Sequence, residues 1–260
     1  MKHPRRKWSR VIAAAAAFIL IGLLCYITVS FAGNPLAAAK ANHAVKKYIE
    51  NQYSELDLEV VRKAKFNFKD KTYVSVVQSK TVKDLQFMIS TRNGIVQWDN
   101  YELNVLEYSN TLMRLSDEYT EKVTKLLHEQ VDKRYKEIRA AYSSEQIEKY
   151  KDLLELDMPF DAALPIDAYL YVNIDLNEAE KINLQALAEQ VTKIHKCLSD
   201  NGYPIAKYNL YIKKGEKLVI GNLPVPAVME EAGLLNSIEK AYNNKGEYNG
   251  ISVIVSGDME

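Results

Sequence analysis

The chain has 260 residues with 34 basic and 34 acidic side chains, a formal net charge of zero, and a length suited to about two domains. A hydrophobic fraction of 47%, with seven prolines and ten glycines, excludes a disordered, collagen-like or low-complexity chain. Two cysteines cannot staple a small secreted domain or build a Cys-rich zinc site, so the fold must rest on an ordinary hydrophobic core.

The neutral total hides two unlike segments. Residues 1–31 carry Lys2, Arg5, Arg6, Lys7 and Arg10 and no acid, which leaves 34 acids against 29 bases in the remainder, a net of −5. Residues 1–10 form the basic head. From Val11 to Phe31 the sequence is apolar apart from Gly22, Thr28 and Ser30. As a helix this run reaches about 31 Å, enough to cross a hydrocarbon core. Positive charge stays inside, so residues 1–10 are expected in the cytoplasm and the C-terminal body outside it. A cleaved signal peptide is the competitor, with Ser30-Phe31-Ala32 as its cleavage site, but the run exceeds a normal h-region, which favours a retained anchor. Cys25 sits in mid-span behind the bulky Leu24, where a lipoprotein signal needs a small residue; it reads as a packing residue. Beyond the span there is one cysteine, Cys197, and no Asn-x-Ser/Thr acceptor, a pattern that suits a bacterial exterior.

The outer part is expected to divide near residue 157. Behind an Asn34 cap, Pro35 starts a helix whose apolar residues Ala41, Val45, Tyr48 and Ile49 keep helical spacing. The period then changes to two, through Leu58 to Phe68, Tyr73 to Gln78, and Leu85 to Thr91. Asn93-Gly94 marks a type I′ hairpin into a fourth strand from Ile95 to about Val105. Apolar residues from Leu112 through Leu115, Tyr119, Val123, Leu126, Val131, Tyr135 and Ile138 to Tyr142 recur every three to five residues, which predicts one long amphipathic helix covering the sheet. Ser143 with Gln146 reads as a capping box for a short helix. The expected first domain is therefore an α+β unit over residues 33–156.

Gly33-Asn34-Pro35, Phe66-x-Phe68-Lys69-Asp70-x-x-Tyr73, Ser79-Lys80-Thr81 with Asp84 and Phe87, Asp99-x-Tyr101, and Asn110-Thr111-x-x-Arg114-Leu115 with Glu118-Tyr119 form an ordered series. Over residues 30–125 it resembles the YfjL-like proteins of Gram-positive bacteria. The resemblance implies a membrane-anchored envelope protein with a cystatin-like or PepSY-like outer domain. It brings no activity and no catalytic residue with it.

Pro159 and Pro165 bound a short connector. The rest alternates: strand Tyr169 to Asp175, helix Glu178 to Leu198, strand Ala206 to Lys213, a turn at Lys214-Gly215, strand Lys217 to Ile220, helix Ala227 to Tyr242, and strand Ile251 to Val255. That β-α-β-β-α-β order predicts a split, ferredoxin-like second domain over residues 166–260.

The chemistry is sparse. His128, Glu129 and Asp132 could begin a metal site, but three or four convergent ligands are needed, and a solvated helix face explains them. His195 and Cys197 stand two apart on a helix and point in different directions. His43 belongs to the surface of the first helix, and Asp99 with Glu102 is a chance pair of carboxylates. Gly221 and Leu223-Pro224-Val225-Pro226 read as a Pro-flanked turn. No nucleophile elbow, phosphate loop or His-Glu-x-x-His occurs. The expected catalytic, cofactor-binding and metal residues are therefore none. Seventeen tyrosines, among them Tyr73, Tyr101, Tyr169, Tyr171, Tyr208 and Tyr211 in strand-rich stretches, suit either strands or a recognition surface. Nucleic acid is disfavoured by the acidic body.

The expected protein is a single-pass, extracytoplasmic interaction, sensing or regulatory module, with the membrane and an envelope protein or glycan as partners. The runner-up is an envelope hydrolase, or a modulator of one, with its site between the two outer domains. The oligomeric state is not encoded in any pattern of the sequence.

Overall fold

The structure is a computed structural model that describes residues 5–175, 183–213, 217–225, 231–244 and 246–256. The start of the basic head, the expected helix starts at Glu178 and Ala227, and the turn at Lys214-Gly215 lie outside the described residues. The chain separates into two compact units, residues 1–106 and 107–260. Both are α+β, and each is built on one sheet.

The first unit opens with α1 (Arg5–Ala32). This helix is long and apolar enough to cross a membrane, and none of its apolar window is buried. Gly33 at φ +79 breaks it. The Asn34 side chain then accepts from the Leu36 N–H at 2.8 Å and starts α2 (Pro35–Gln52), where proline costs no hydrogen bond. α2 buries Ala41 and Val45 against a four-stranded antiparallel meander in the order β1 (Leu58–Asn67), β2 (Thr72–Ser79), β3 (Gln86–Arg92), β4 (Ile95–Asp99). The expected alternation holds from Leu85 to Ile89, with Leu85, Phe87 and Ile89 buried around half-buried Gln86 and Met88, and ends there, since Ser90 and Thr91 are both buried. Asn93 and Gly94 both take positive φ, at 53° and 77°, as a type I′ turn requires. β4 is shorter than expected. At Glu102–Leu106 the chain winds into a π-helical turn instead.

The second unit begins with α3 (Ser109–Gln130). The expected long helix stops here, and residues 135–142 form strand β5 (Tyr135–Tyr142). The cause is visible at Asp132, whose carboxylate accepts from the Arg134 N–H at 2.8 Å and turns the chain. A bulge between Lys136 and Arg139, with Glu137 at φ 47, then puts an extra residue into the strand. Tyr135, Ile138, Ala140 and Tyr142 consequently all face the core. A bulged strand thus reproduced the three-residue step that suggested a continuous helix. α3 and β5 both belong to the second compact unit, which begins at residue 107.

Short helical turns follow at Ser144–Gln146, at α4 (Ile147–Tyr150) and at Lys151–Leu153. Gln146 makes no capping box: its amide brackets Asp167, with Nε2 donating to Oδ2 at 2.7 Å and Oε1 accepting from the Asp167 N–H at 2.8 Å. The connector between Pro159 and Pro165 lies against α3. Phe160 meets Tyr119 edge-on at 5.4 Å, and the Asp161 carbonyl accepts from the Tyr142 hydroxyl.

The remaining elements are β6 (Ala168–Asp175), α5 (Leu184–Asp200), β7 (Lys207–Lys213), β8 (Lys217–Pro224), α6 (Glu231–Asn243), β9 (Glu247–Tyr248) and β10 (Ile251–Ser256). They complete a mixed sheet in the order β5-β6-β7-β8-β10-β9, with β6 and β7 parallel. In a split βαβ a strand would stand between β6 and β7; here they are direct neighbours, so the expected ferredoxin-like order is not formed. α5 buries Leu187, Val191, Ile194 and Leu198, in one core with Leu170, Val172, Leu210 and Ile212 of the sheet.

Candidate recognition face

Strand alternation in β6 and β7 decides what the second unit presents. Ala168, Leu170, Val172 and Ile174 are buried in the core, as are Tyr208, Leu210 and Ile212 of β7. The intervening residues must point the other way. They are Tyr169, Tyr171 and Asn173 in β6, and Lys207, Asn209 and Tyr211 in β7.

The parallel register sets these side by side, Tyr169 with Lys207, Tyr171 with Asn209, and Asn173 with Tyr211. The third row continues to Val219 and Ile254 on the next two strands. Tyr171 is 44% exposed. A shallow groove of about 560 Å³ runs over this face, lined by Tyr171, Asn173, Asn209, Tyr211, Val219 and Glu137. Asn173 Nδ2 donates to the Glu137 carboxylate at 2.9 Å, while its own carbonyl oxygen is buried without a hydrogen-bond partner. A buried acceptor left unsatisfied is costly in a folded protein. Around Asn173 the groove is open and flanked by the Tyr171 and Tyr211 rings, which offers apolar area with a few polar groups.

Both edges of the mixed sheet are partly blunted, which disfavours strand addition at the covered positions. On the β5 edge, Thr120 of α3 donates its hydroxyl to the Ala140 carbonyl at 2.9 Å and accepts from the Ala140 N–H at 3.0 Å. Ser116 accepts from the Tyr142 N–H at 3.1 Å. The other edge, β9, is two residues long. Covering and shortening are both ways of blunting an edge.

Two larger clefts, of about 950 and 1060 Å³, run along the two sides of α2 in the first unit. They are the grooves left where a helix rests on a sheet. The polar lining of the first comes largely from Lys40, His43 and Lys47 of the helix, and that of the second from Lys46 and Glu50 together with Glu55, Asp57, Glu59 and Lys63 of the following turn and β1.

The residues singled out in the sequence fall elsewhere. His128 donates from Nε2 to the Tyr135 carbonyl at 2.8 Å. Asp132 pairs with Arg134 at 2.8 Å, which holds its carboxyl below the usual range. His195 shares a 2.7 Å hydrogen bond with the Tyr208 hydroxyl, while Cys197 points to Gln130. Burial lowers the His195 imidazole and raises the Cys197 thiol, the opposite of an activated Cys-His pair. His43 is exposed on α2.

Asp99 is a structural acceptor. It takes the hydroxyls of Tyr48 at 2.6 Å and Tyr53 at 2.9 Å and the N–H of Tyr101 at 3.0 Å. Burial first, and then the Asp99 carboxylate, push both tyrosines up. Glu102 stands exposed on the following turn. Among the described residues, no group of three or more His, Cys, Asp or Glu side chains could hold a metal ion.

Of the tyrosines noted in strands, Tyr169, Tyr171 and Tyr211 belong to the open face. Tyr73 and Tyr208 are buried, and Tyr101 packs on Phe87 and Tyr53. Asn173, Asn209 and Glu137 went unnoticed. The only sequence signal of the two asparagines is an amide at the outward position of a period-two strand, and Glu137, on the β5 bulge, has none.

Comparison with known families matches the description "YfjL-like, N-terminal domain" over residues 8–100 and "YfjL-like C-terminal domain" over residues 118–246. No curated protein and no solved structure matches the chain. The motif series, which runs into α3, had carried the likeness only to residue 125, and the second match extends it across the open face of the mixed sheet: the chain belongs to the YfjL-like family.

Proposed function

We propose that this chain is a single-pass membrane protein of a Gram-positive cell envelope, with residues 1–10 in the cytoplasm and both α+β units outside, acting as a recognition or sensing module without catalysis. On this reading the first unit is a cystatin-like spacer, a helix laid on a four-stranded meander, and the second binds an envelope protein or glycan. The observation that supports it best is the groove of Tyr171, Tyr211, Asn173 and Asn209. The basic head before an apolar span supports the orientation.

Photo-crosslinkers placed at Tyr171 and Tyr211 in intact cells test the binding role. Capture of the same extracytoplasmic partner from both positions, and not from the helix-side Lys193, is the expected result. Equal capture from all three positions, or turnover of an envelope substrate by the purified protein with no partner recovered, would sink it.

A further inference from the structure

At the junction of α1 with the first sheet, three contacts fix the end of the apolar helix. The Tyr73 hydroxyl accepts from the Asn34 N–H at 2.7 Å and donates to the Asn34 carbonyl at 3.1 Å. Gly33 lies so close to Phe66 and Tyr73 that a Cβ there would stand 2.6 Å from the Phe66 Cβ. The ring of Phe31, last of the apolar run, lies 5.9 Å from the ring of Phe68 in the β1–β2 turn.

The β3–β4 turn sits at the same end of the sheet. Arg92 donates to the Asp70 carbonyl at 2.6 Å, and Gly94 lies beside Lys40. Phe68 is 53% and Ile95 66% exposed on these turns. Around them stand four cations, Lys40, Lys69, Lys71 and Arg92, and one acid, Asp70, which already accepts from the Asn67 amide.

We propose that these two turns form a foot on the outer leaflet, with Phe68 and Ile95 seated at the boundary of headgroups and acyl chains and Lys69, Lys71 and Arg92 on the phosphates of anionic phospholipid. The inference rests on reading α1 as the membrane anchor. If the hydrocarbon ends near Phe31, a ring in contact with Phe31 lies at the interface. Aromatic residues and basic side chains with apolar stems both settle there, and clustered cations draw anionic lipid. The foot holds the first unit on the membrane surface and so fixes where the rest of the chain starts.

The test uses the full chain reconstituted into vesicles of phosphatidylglycerol, or of phosphatidylcholine, containing brominated lipids. Trp8 and Trp98 are replaced by Phe, and a single tryptophan is introduced as Phe68→Trp, Lys80→Trp at the far end of the sheet, or Ile21→Trp in mid-span. Strong quenching at positions 21 and 68, weak quenching at 80, and weaker quenching at 68 in phosphatidylcholine or on Lys69→Glu with Lys71→Glu are expected. Quenching at 21 with none above the position-80 level at 68 overturns the foot and leaves the anchor standing. Equal quenching at 68 in both lipids overturns the assignment to anionic headgroups. No quenching at 21 overturns the anchor reading and the foot with it.

Discussion

Tyr119, Tyr135, Tyr142 and Tyr208 put their rings into the core of the second unit, and each hydroxyl finds a partner: the Pro204 carbonyl, Gln190, the Asp161 carbonyl and His195. Burial raises all four above the ordinary tyrosine range. Tyr171, on the open face, carries no such duty. Tyr119→Phe should therefore cost about 1–3 kcal/mol in urea unfolding, because the Pro204 carbonyl is left without its donor. Tyr171→Phe should stay within about 0.5 kcal/mol of the parent. Equal costs would show that the open-face tyrosine is structural after all. His195 supplies a pH dependence. Burial holds its imidazole below the ordinary 6.5, with Asp200 opposing weakly, so on acidification the unfolded chain takes up the proton before the folded one does. The stability linked to His195 is thus complete above 6.5 and declines as the pH falls toward the folded value. Urea midpoints from about pH 7.5 to 5 should fall less steeply for His195→Gln than for the parent. Parallel profiles would contradict this.

At the level of elements, the cap on the exposed edge of the mixed sheet is the most testable device. Thr120→Val preserves shape and removes both hydrogen bonds to Ala140. The expected loss is about 1–3 kcal/mol, accompanied by a rise in self-association on size exclusion as the edge opens. A monomeric variant of unchanged stability would mean that α3 covers the edge by packing alone. The same region shows what sequence periodicity conceals. The α2 cap, the meander and the Asn93-Gly94 turn were legible because each rests on a local rule, such as side-chain capping, alternation or positive φ. β5 was not legible, because the bulge at Glu137 spaces Tyr135 and Ile138 three apart, as a helix would. The adjacency of β6 and β7 was equally hidden, since element order does not say which strands pair. Tyr169, Tyr171 and Tyr211 of the open face could be read as tyrosines in β-rich segments, though not told apart there from the buried Tyr208. The amides beside them could not, because Asn173 and Asn209 acquire meaning only from a register set by the parallel ladder.

For the molecule as a whole, zero net charge is the sum of a basic head and an acidic body on the two sides of one apolar helix. Family membership covers both units, and the contacts among Gly33, Asn34, Phe66 and Tyr73 show what part of the family's motif series does: it fastens the first sheet to the end of that helix. Recognition on the face of the mixed sheet and the seating of the two turns on lipid both require the units to stand outside the cytoplasm. The decisive measurement is therefore the accessibility of a single cysteine, Lys193→Cys, in a chain with Cys25 and Cys197 replaced by Ala, to a membrane-impermeant maleimide in intact cells stripped of their wall. The account predicts full labelling before lysis. Labelling that appears only after the membrane is opened would contradict it.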